Sequence, residues 1–191
     1  MNKQDIIDFF DSRASGWDAD TVKNEQIIET ILDNAGVGQG SAVLDVACGT
    51  GVLFADYLSR GAKVTAVDIS SEMVKLAKAK FPQVEVLCGD VEDLQLDRQF
   101  DCIMVYNAFP HFPEPEKLLR VLSAMLCPGG TLTVAHGASR AVIDHHHEGH
   151  ASKVSVGLMH EDDLEKLFEK YLTVTVKLSN DHMYQVTGRK A

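Results

Sequence analysis

The 191-residue sequence lacks several features that would assign it to common classes of protein. It has no apolar run long enough to cross a bilayer, and residues 1–5 contain no apolar signal-peptide core. Its lysines and arginines form no cluster, and its net charge is −10. This acidity disfavours nucleic acid and anionic membrane surfaces as partners. We therefore expect a cytoplasmic protein that acts on a small molecule.

Cysteine and low-complexity sequence are also scarce. The four cysteines show neither metal-ligand nor disulfide spacing, which indicates reduced thiols: Cys48, Cys88, Cys102 and Cys127. The chain has no internal repeat, linker or biased tail, and its length suits one α/β domain. We therefore expect a single domain over 1–191, which divides into a helical segment at 1–35 and a core at 36–191 with a His-rich insertion at 136–160.

What the chain does have is a strand followed by a glycine turn. Residues 43–53 read VLDVACGTGVL, in which an aliphatic run meets two glycines and then a helical pattern. Strand, glycine turn and helix begin a nucleotide-binding βαβ unit, and the bare backbone of Gly49 and Gly51 lets a ligand approach closely. A dinucleotide fingerprint needs a third glycine where this chain has Phe54, which weakens that interpretation.

An acidic residue ends the second predicted strand, residues 63–68. The Asp68 carboxylate offers acceptors to the two hydroxyl donors of a ribose. A solvated strand end or a helix N-cap is the alternative, although Ser70 and Ser71 are better capping residues. The side chains of Ile69 and Met73 are placed to line an adenine ring.

The rest of the chain alternates strands and helices. Further strands are predicted at 84–88, 100–107, 131–136, 172–178 and 182–188, and helices at 2–12, 19–35, 71 onward, 114–126 and 161–170. The last two strands are joined by a short turn, so they must be antiparallel. Ligands of open α/β sheets bind outside the carboxyl ends of strands, which directs attention to Asn107, Ala108 and His111.

Four motifs occur in a fixed order, and together they point to a family. They are FFDSRASGWD at 9–18, DVACGTG at 45–51, GDVEDL at 89–94 and PGG at 128–130. The sequence resembles class I S-adenosylmethionine-dependent methyltransferases, in particular the small-molecule branch that includes ubiquinone and menaquinone biosynthesis enzymes. The resemblance implies one Rossmann-like α/β domain with a seven-stranded, mostly parallel sheet, an antiparallel last strand, helices on both faces and an N-terminal helical lid. It also implies S-adenosylmethionine as cofactor and S-adenosylhomocysteine as product.

The resemblance and the strand ends together give a set of site residues. Cofactor contacts are expected from Trp17, Asp45, Ala47, Cys48, Gly49, Gly51, Asp68, Ile69, Met73, Asp90, Val91 and Asn107. Family resemblance implies that Asp90 accepts from the adenine amino group beside the Val91 backbone. Trp17 either offers its aromatic face to the sulfonium or packs the lid onto the domain. His111 is the first candidate for a general base and His136 is the second. The alternative role for His111 is to pack beside the cofactor.

The sequence departs from part of the family at 107–110, which reads NAFP. Members that methylate amino groups of nucleic acid or protein carry Asn/Asp-Pro-Pro-aromatic at this place. The departure therefore favours a small acceptor over a base or a glutamine side chain.

Histidines are concentrated between residues 136 and 160. Four lie within six positions, at His145, His146, His147 and His150. Their spacing is not that of the H-E-x-x-H zinc motif. Three interpretations remain open: a solvated polar loop, an acceptor pocket with a neutral imidazole as base, or a metal site at these four residues.

The sequence therefore predicts an enzyme that transfers a methyl group to a small molecule. Two other functions stay open: an NAD-dependent oxidoreductase that shares the βαβ start, and a non-catalytic protein of the same fold that binds the cofactor or a metal. We expect a monomer or a homodimer.

Overall fold

Strands and helices alternate along the computed structural model, which describes residues 2–147 and 152–191. The strands are β1 (Ala42–Val46), β2 (Lys63–Asp68), β3 (Glu85–Cys88), β4 (Phe100–Tyr106), β5 (Leu126–His136), β6 (Thr173–Ser179) and β7 (Tyr184–Arg189). The helices are α1 (Lys3–Arg13), α2 (Trp17–Asp20), α3 (Glu25–Ala35), α4 (Phe54–Ser59), α5 (Ser71–Lys80), α6 (Pro115–Ala124), α7 (Arg140–His147) and α8 (Glu161–Phe168). Short 3₁₀ segments lie at Ala14–Gly16, Phe109–His111 and Ser152–Val154.

All seven strands form one sheet in the order β3-β2-β1-β4-β5-β7-β6. Neighbouring strands from β3 to β5 pair in parallel, whereas β7 is antiparallel to both β5 and β6. The hairpin of β6 and β7 therefore inserts its second strand next to β5. The predicted fold class, a mostly parallel seven-stranded sheet with a reversed last strand, is confirmed.

Two apolar cores cover the two faces of the sheet. Successive residues of a strand point to opposite faces, so Val43 joins one core and Leu44 the other. Helices α3, α4 and α5 supply Leu32, Phe54 and Val74 to the core of Val43. Helices α6 and α8 cover the other face with residues such as Leu122 and Phe168. Helices on both faces, as predicted, leave the strand ends as the place where a ligand can bind.

The predicted helix from about Ala19 to Ala35 is interrupted. Helix α2 ends at Asp20, and Thr21 is extended (φ −80°, ψ 114°). Helix α3 begins only at Glu25, because the Asn24 side chain accepts from the backbone N–H of Ile27 and caps it. The prediction was wrong here, since a periodic apolar pattern continued across a cap residue that marked the true start.

The strand predicted from Thr131 is also longer than expected. Strand β5 begins at Leu126, so the Pro128-Gly129-Gly130 sequence lies within it and does not form a separate turn. A register shift between Phe100 and Cys102 on β4 accommodates the extra residues. An ideal Cβ at Gly130 would lie 3.0 Å from the carbonyl oxygen of Phe100. Glycine therefore allows the two backbones to approach closely.

The predicted N-terminal helices are present. Side chains of α1, α2 and the chain before α3 face the carboxyl ends of the strands, among them Ile6, Phe10 and Trp17. Helix α1 packs against α5, next to the carboxyl ends of the strands. Within the described residues, each helix is too short or too polar to cross a bilayer.

Candidate functional site

A cavity of about 650 Å³ opens at the carboxyl ends of the parallel strands, under the N-terminal helices. Twelve of the predicted site residues line it: Trp17, Ala47, Cys48, Gly49, Asp68, Ile69, Met73, Asp90, Val91, Asn107, His111 and His136. Two others, Asp45 and Gly51, are not in its wall. The cavity has the size of a small-molecule or cofactor site, and it brings together residues from the ends of five strands.

The turn after β1 takes an unusual backbone path. Ala47 (φ 55°), Gly49 (φ 55°) and Gly51 (φ 86°) all lie in the left-handed region. Alanine seldom adopts this conformation, so the turn holds Ala47 in a strained geometry of the kind found at ligand sites. An ideal Cβ at Gly51 would lie 2.6 Å from the Phe54 ring, so this glycine serves the packing of α4. Gly49 supplies bare backbone to the cavity wall.

Asp68 connects the ends of β1 and β2. One carboxylate oxygen accepts from the N–H of Gly49 at 2.7 Å, and the other accepts from the N–H of Ser70 at 2.8 Å. Burial raises the pKa of Asp68, and the two backbone hydrogen bonds oppose that rise. A carboxylate oxygen has more than one acceptor site, so Asp68 still has acceptors for a diol in the cavity. The N-cap of α5 is Ser70, as predicted, because its hydroxyl accepts from the N–H of Met73.

Asp45 lies beneath the glycine turn, only 2% exposed. Burial, reinforced by the charge of Asp68, holds the pKa of Asp45 well above its usual value of 3.8. The thiol of Cys48 is affected in the same way, since burial and then the charges of Asp45 and Asp68 raise its pKa. Cys48 is therefore a protonated lining residue and a poor nucleophile.

The loop after β3 presents Asp90 and Val91 to the cavity. One oxygen of Asp90 accepts from the N–H of Glu92 at 2.9 Å, and the other forms an ion pair with Lys3 of α1. Lys3 also lies 3.2 Å from a carboxylate oxygen of Asp93. Sequence reasoning missed Lys3, because no local pattern connects the start of α1 with a loop so far along the chain.

The ends of β4 and β5 are held together by Asn107. This residue has a left-handed backbone (φ 53°), and its side-chain oxygen accepts from the N–H of Gly137 at 3.0 Å. Ala108 and Gly137 follow the two strand ends and line the cavity beside it. Asn107 therefore fixes the wall at the place where the predicted base residues emerge.

Both predicted base residues reach the cavity. The Nδ1 atom of His111 lies 2.7 Å from the carbonyl oxygen of Val154. A carbonyl only accepts, so Nδ1 must carry the proton, and in the neutral ring Nε2 is then the basic nitrogen. The ring of Phe10 contacts His111 edge-on, with 5.0 Å between centroids. His136 is buried at the end of β5 and meets Tyr184 edge-on at 6.1 Å.

Apolar side chains form part of the cavity wall. They include Phe10, which contacts His111, and also Phe112, Ala138, Val142 and Ile143. Among the described lining residues, Lys3 is the sole lysine or arginine, and it is already paired with Asp90. The described lining therefore offers an anionic ligand group no unpaired lysine or arginine. Helix α7 contributes Val142 and Ile143 to the cavity wall. Sequence reasoning considered only the histidines of this segment and did not identify these two residues.

The four histidines of the possible metal site are described only in part by the structure. His145 is exposed on α7 and lies outside the cavity wall. The side chains of His146 and His147, and the whole of His150, are outside the described part of the structure. No group of three or more potential metal-ligating side chains occurs within that described part. The metal interpretation at 145–150 therefore stays a sequence-based prediction.

Comparisons with known proteins identify similar chains. Residues 43–130 match the model of a family described as "Methyltransferase domain". The chain is 35% identical over 140 residues to malonyl-[acyl-carrier protein] O-methyltransferase of Priestia megaterium, covering 69% of this chain and 51% of that protein. It is 30% identical over 142 residues to ubiquinone biosynthesis O-methyltransferase of Coxiella burnetii, covering 69% and 61%. The chain thus spans about half to three-fifths of these relatives.

Solved structures show the same fold. Magnesium protoporphyrin IX methyltransferase from Synechocystis, with bound S-adenosylhomocysteine, superposes with a TM-score of 0.77 at 18% identity over the full length of both chains. The 1,6-didemethyltoxoflavin-N1-methyltransferase of Burkholderia thailandensis superposes with a TM-score of 0.72 at 22% identity, covering 99% of this chain and 87% of that one. The family resemblance found in the sequence is confirmed.

Proposed function

This chain carries a class I methyltransferase domain, and from that premise we propose that it transfers a methyl group from S-adenosylmethionine to a small acceptor. The observation that carries the proposal is the convergence of the glycine turn, Asp68 and Asp90 on one cavity at the ends of β1, β2 and β3. Backbone without a side chain suits an amino-acid tail, and the two carboxylates suit a ribose diol and an adenine amine.

The residues of the cavity fit the cofactor better than a dinucleotide. Phe54 occupies the place of the third fingerprint glycine, it is fully buried, and its ring packs against Gly51. The third glycine of that fingerprint allows the helix to pack closely on the strand, and Phe54 replaces it, so the incomplete fingerprint disfavours an NAD-dependent oxidoreductase. S-adenosylmethionine supplies an electrophilic methyl group on a sulfonium when bound. The chain then has to hold, align and dehydrate the reacting groups.

We propose that His111 acts as the general base. Its Nδ1 proton is held by the Val154 carbonyl, so Nε2 is the nitrogen that can take a proton from an acceptor O–H. The acceptor oxygen gains the methyl carbon, its proton passes to His111, and the carbon–sulfur electron pair stays on sulfur. His136 remains the second candidate for this role.

The lining of the acceptor end supports an uncharged, largely apolar acceptor. Phe10, Phe112 and Ile143 would contact a flat or aliphatic group, and Lys3, the sole lysine or arginine among the described lining residues, is paired with Asp90. A carboxylate or phosphate there would be desolvated without a partner.

For the chain as a whole we propose a cytoplasmic monomer or homodimer, with residues 1–35 as a lid on a core of 36–191.

Titration calorimetry with S-adenosylhomocysteine tests the cofactor assignment. We expect binding by the wild-type chain and a loss of at least about tenfold in affinity for Asp68→Ala, because the hydrogen bonds that the diol hydroxyls donate to the carboxylate are removed. Asp97→Ala, at an exposed position outside the cavity, is the matched control and should bind as wild type. NAD should produce no heat. Binding of NAD but not of S-adenosylhomocysteine would replace this proposal with the oxidoreductase.

A further inference from the structure

The N-terminal segment, residues 3–18, carries three charged side chains that contact three different strand-end loops. Lys3 pairs with Asp90 after β3. Asp11 accepts from the hydroxyl of Ser70 after β2, at 2.5 Å, and from the N–H of Glu72 at 3.1 Å. Asp18 of α2 contacts the turn after β1. Each of the three loops that we assign to the cofactor is thus joined to the segment that covers the cavity.

Asp11 is connected to Asp68 through one fully buried residue. Ser70 donates its hydroxyl to Asp11 and its backbone N–H to Asp68, so the two carboxylates hold the same residue from opposite sides. The Ser70 oxygen also accepts from the N–H of Met73, which fixes the direction of its proton. A shift of Asp11 would therefore release the hydroxyl that helps to orient the Asp68 loop.

Asp18 makes the equivalent contact with the glycine turn. One oxygen accepts from the hydroxyl of Thr50 at 2.5 Å, and the other pairs with Lys80 of α5 at 2.7 Å. Thr50 stands between Gly49 and Gly51 and is only 2% exposed. Burial opposes ionisation, but hydrogen bonds from Lys80 and Thr50 hold the pKa of Asp18 below its usual value. The contact is therefore a charge-assisted hydrogen bond at neutral pH.

We propose that Asp11 and Asp18 are positioning residues that fasten residues 3–18 over the cavity and, through Ser70 and Thr50, set the cofactor-binding loops. This inference rests on the proposed function, because it concerns binding of the same cofactor. The segment and the loops then form one unit: the loops hold the segment closed, and the segment holds the loops in their binding arrangement. Cofactor affinity depends on residues that do not touch the cofactor.

The chain contains its own reporter of this closure. Trp17 is its single tryptophan, and its Nε1 atom would lie 3.7 Å from an ideal Cβ on Gly49. Its ring also meets Phe10 edge-on at 5.5 Å. Release of the segment exposes this indole to water, so quenching of tryptophan fluorescence by acrylamide measures closure in the intact protein.

The test compares Asp11→Ala, Asp18→Ala and the double variant by calorimetry with S-adenosylhomocysteine and by fluorescence quenching. We expect each single variant to weaken binding about tenfold and to increase quenching. If the segment acts as one unit, the double variant should lose little beyond a single variant, well short of about a hundredfold. Asp8→Ala is the matched control, because Asp8 is an exposed carboxylate of α1 bonded only to Gln4 among the contacts described for it.

Variants of the loop side separate positioning from a general loss of stability. Thr50→Val removes the hydroxyl and should reproduce Asp18→Ala, whereas Thr50→Ser keeps the hydroxyl and should restore wild-type affinity. Urea unfolding identifies any variant that fails to fold. Wild-type affinity and quenching in both Asp11→Ala and Asp18→Ala would overturn the inference while the proposed function stands. Absence of binding by the wild-type chain would overturn both.

Discussion

Two buried carboxylates, Asp45 and Asp68, lie close to one another but have different surroundings. Asp68 accepts two backbone N–H groups and lines the cavity, whereas Asp45 is buried below the turn and outside the wall. Burial raises the pKa of both carboxyl groups, and the charge of Asp68 raises that of Asp45 further. We therefore propose separate roles: Asp68 offers acceptors to a ligand, and Asp45 is a buried carboxyl group with a raised pKa under the turn.

The raised pKa of Asp45 predicts a specific pH dependence of stability. A carboxyl group whose pKa is raised by folding stabilises the folded state fully below about pH 3.8, and that contribution is lost as the pH rises through the folded pKa. Asparagine does not titrate, so Asp45→Asn removes this pH-dependent loss of stability. We therefore expect the free energy of unfolding, measured in urea at about pH 4.5 and about pH 8, to fall less in the variant than in wild type. Parallel pH profiles would contradict a raised pKa of Asp45 in the folded state.

His111 gives a second prediction at this scale. His111→Gln removes the basic nitrogen but leaves the cofactor loops intact, so we expect the rate of methyl transfer to an uncharged acceptor with an O–H group to fall about 100-fold to 10,000-fold. Affinity for S-adenosylhomocysteine should stay unchanged. His182→Gln, at an exposed position in the turn before β7, is the control. A fall in cofactor affinity without a fall in rate would instead make His111 a packing residue.

Individual site residues were predictable where a local pattern marks them. Asp68 ends an apolar strand at a fixed distance from a glycine turn, so sequence alone predicted its location in the cavity wall. Lys3 and Asp11 carry no such signal, because their partners, Asp90 and Ser70, are distant in sequence. Those contacts depend on where α1 packs, and that is decided by tertiary structure.

At the scale of elements, the contact between β7 and α8 depends on a glycine. An ideal Cβ at Gly188 would lie 2.7 Å from the Phe168 ring and 2.9 Å from Cβ of Leu172. Phe168 is fully buried, so neither neighbour can move without disturbing the core on that face.

Gly188→Ala should therefore lower the free energy of unfolding by about 1–3 kcal/mol through overpacking. Gly38→Ala is the matched control, because nothing lies within 4 Å of its ideal Cβ and its backbone is not left-handed. Urea denaturation of the two variants and wild type measures the difference. Equal stabilities would show that α8 moves aside at no cost.

Element boundaries were less predictable than element types. The apolar pattern of 19–35 runs across Asn24, so the cap that starts α3 at Glu25 was hidden within it. The Pro-Gly-Gly sequence at 128–130 resembles a turn, yet it lies within β5, at a register shift where it has no partner on β4 and hydrogen bonds instead to Lys190. In neither case did the apolar pattern reveal the hydrogen bonds that decided the outcome.

At the scale of the whole molecule, local patterns predicted the fold class, and the family resemblance added the direction of the last strand in the sheet. Alternating strands and helices indicate a parallel sheet with helices on both faces. The turn at 179–181 indicates only that β6 and β7 are antiparallel. The reversed last strand of a mostly parallel sheet followed from family resemblance; the structure confirms it and shows that β7 is inserted between β5 and β6.

That insertion has a consequence for synthesis on the ribosome. Among the residues that the structure describes, strand β6 pairs only with β7, so β6 has no partner strand there until residues 184–189 have been synthesised. Helix α8 contacts both β6 and β7, so its packing on the sheet is completed only after β7 has been synthesised. The nascent chain can therefore assemble its first five strands and their cavity while the far edge of the sheet stays open.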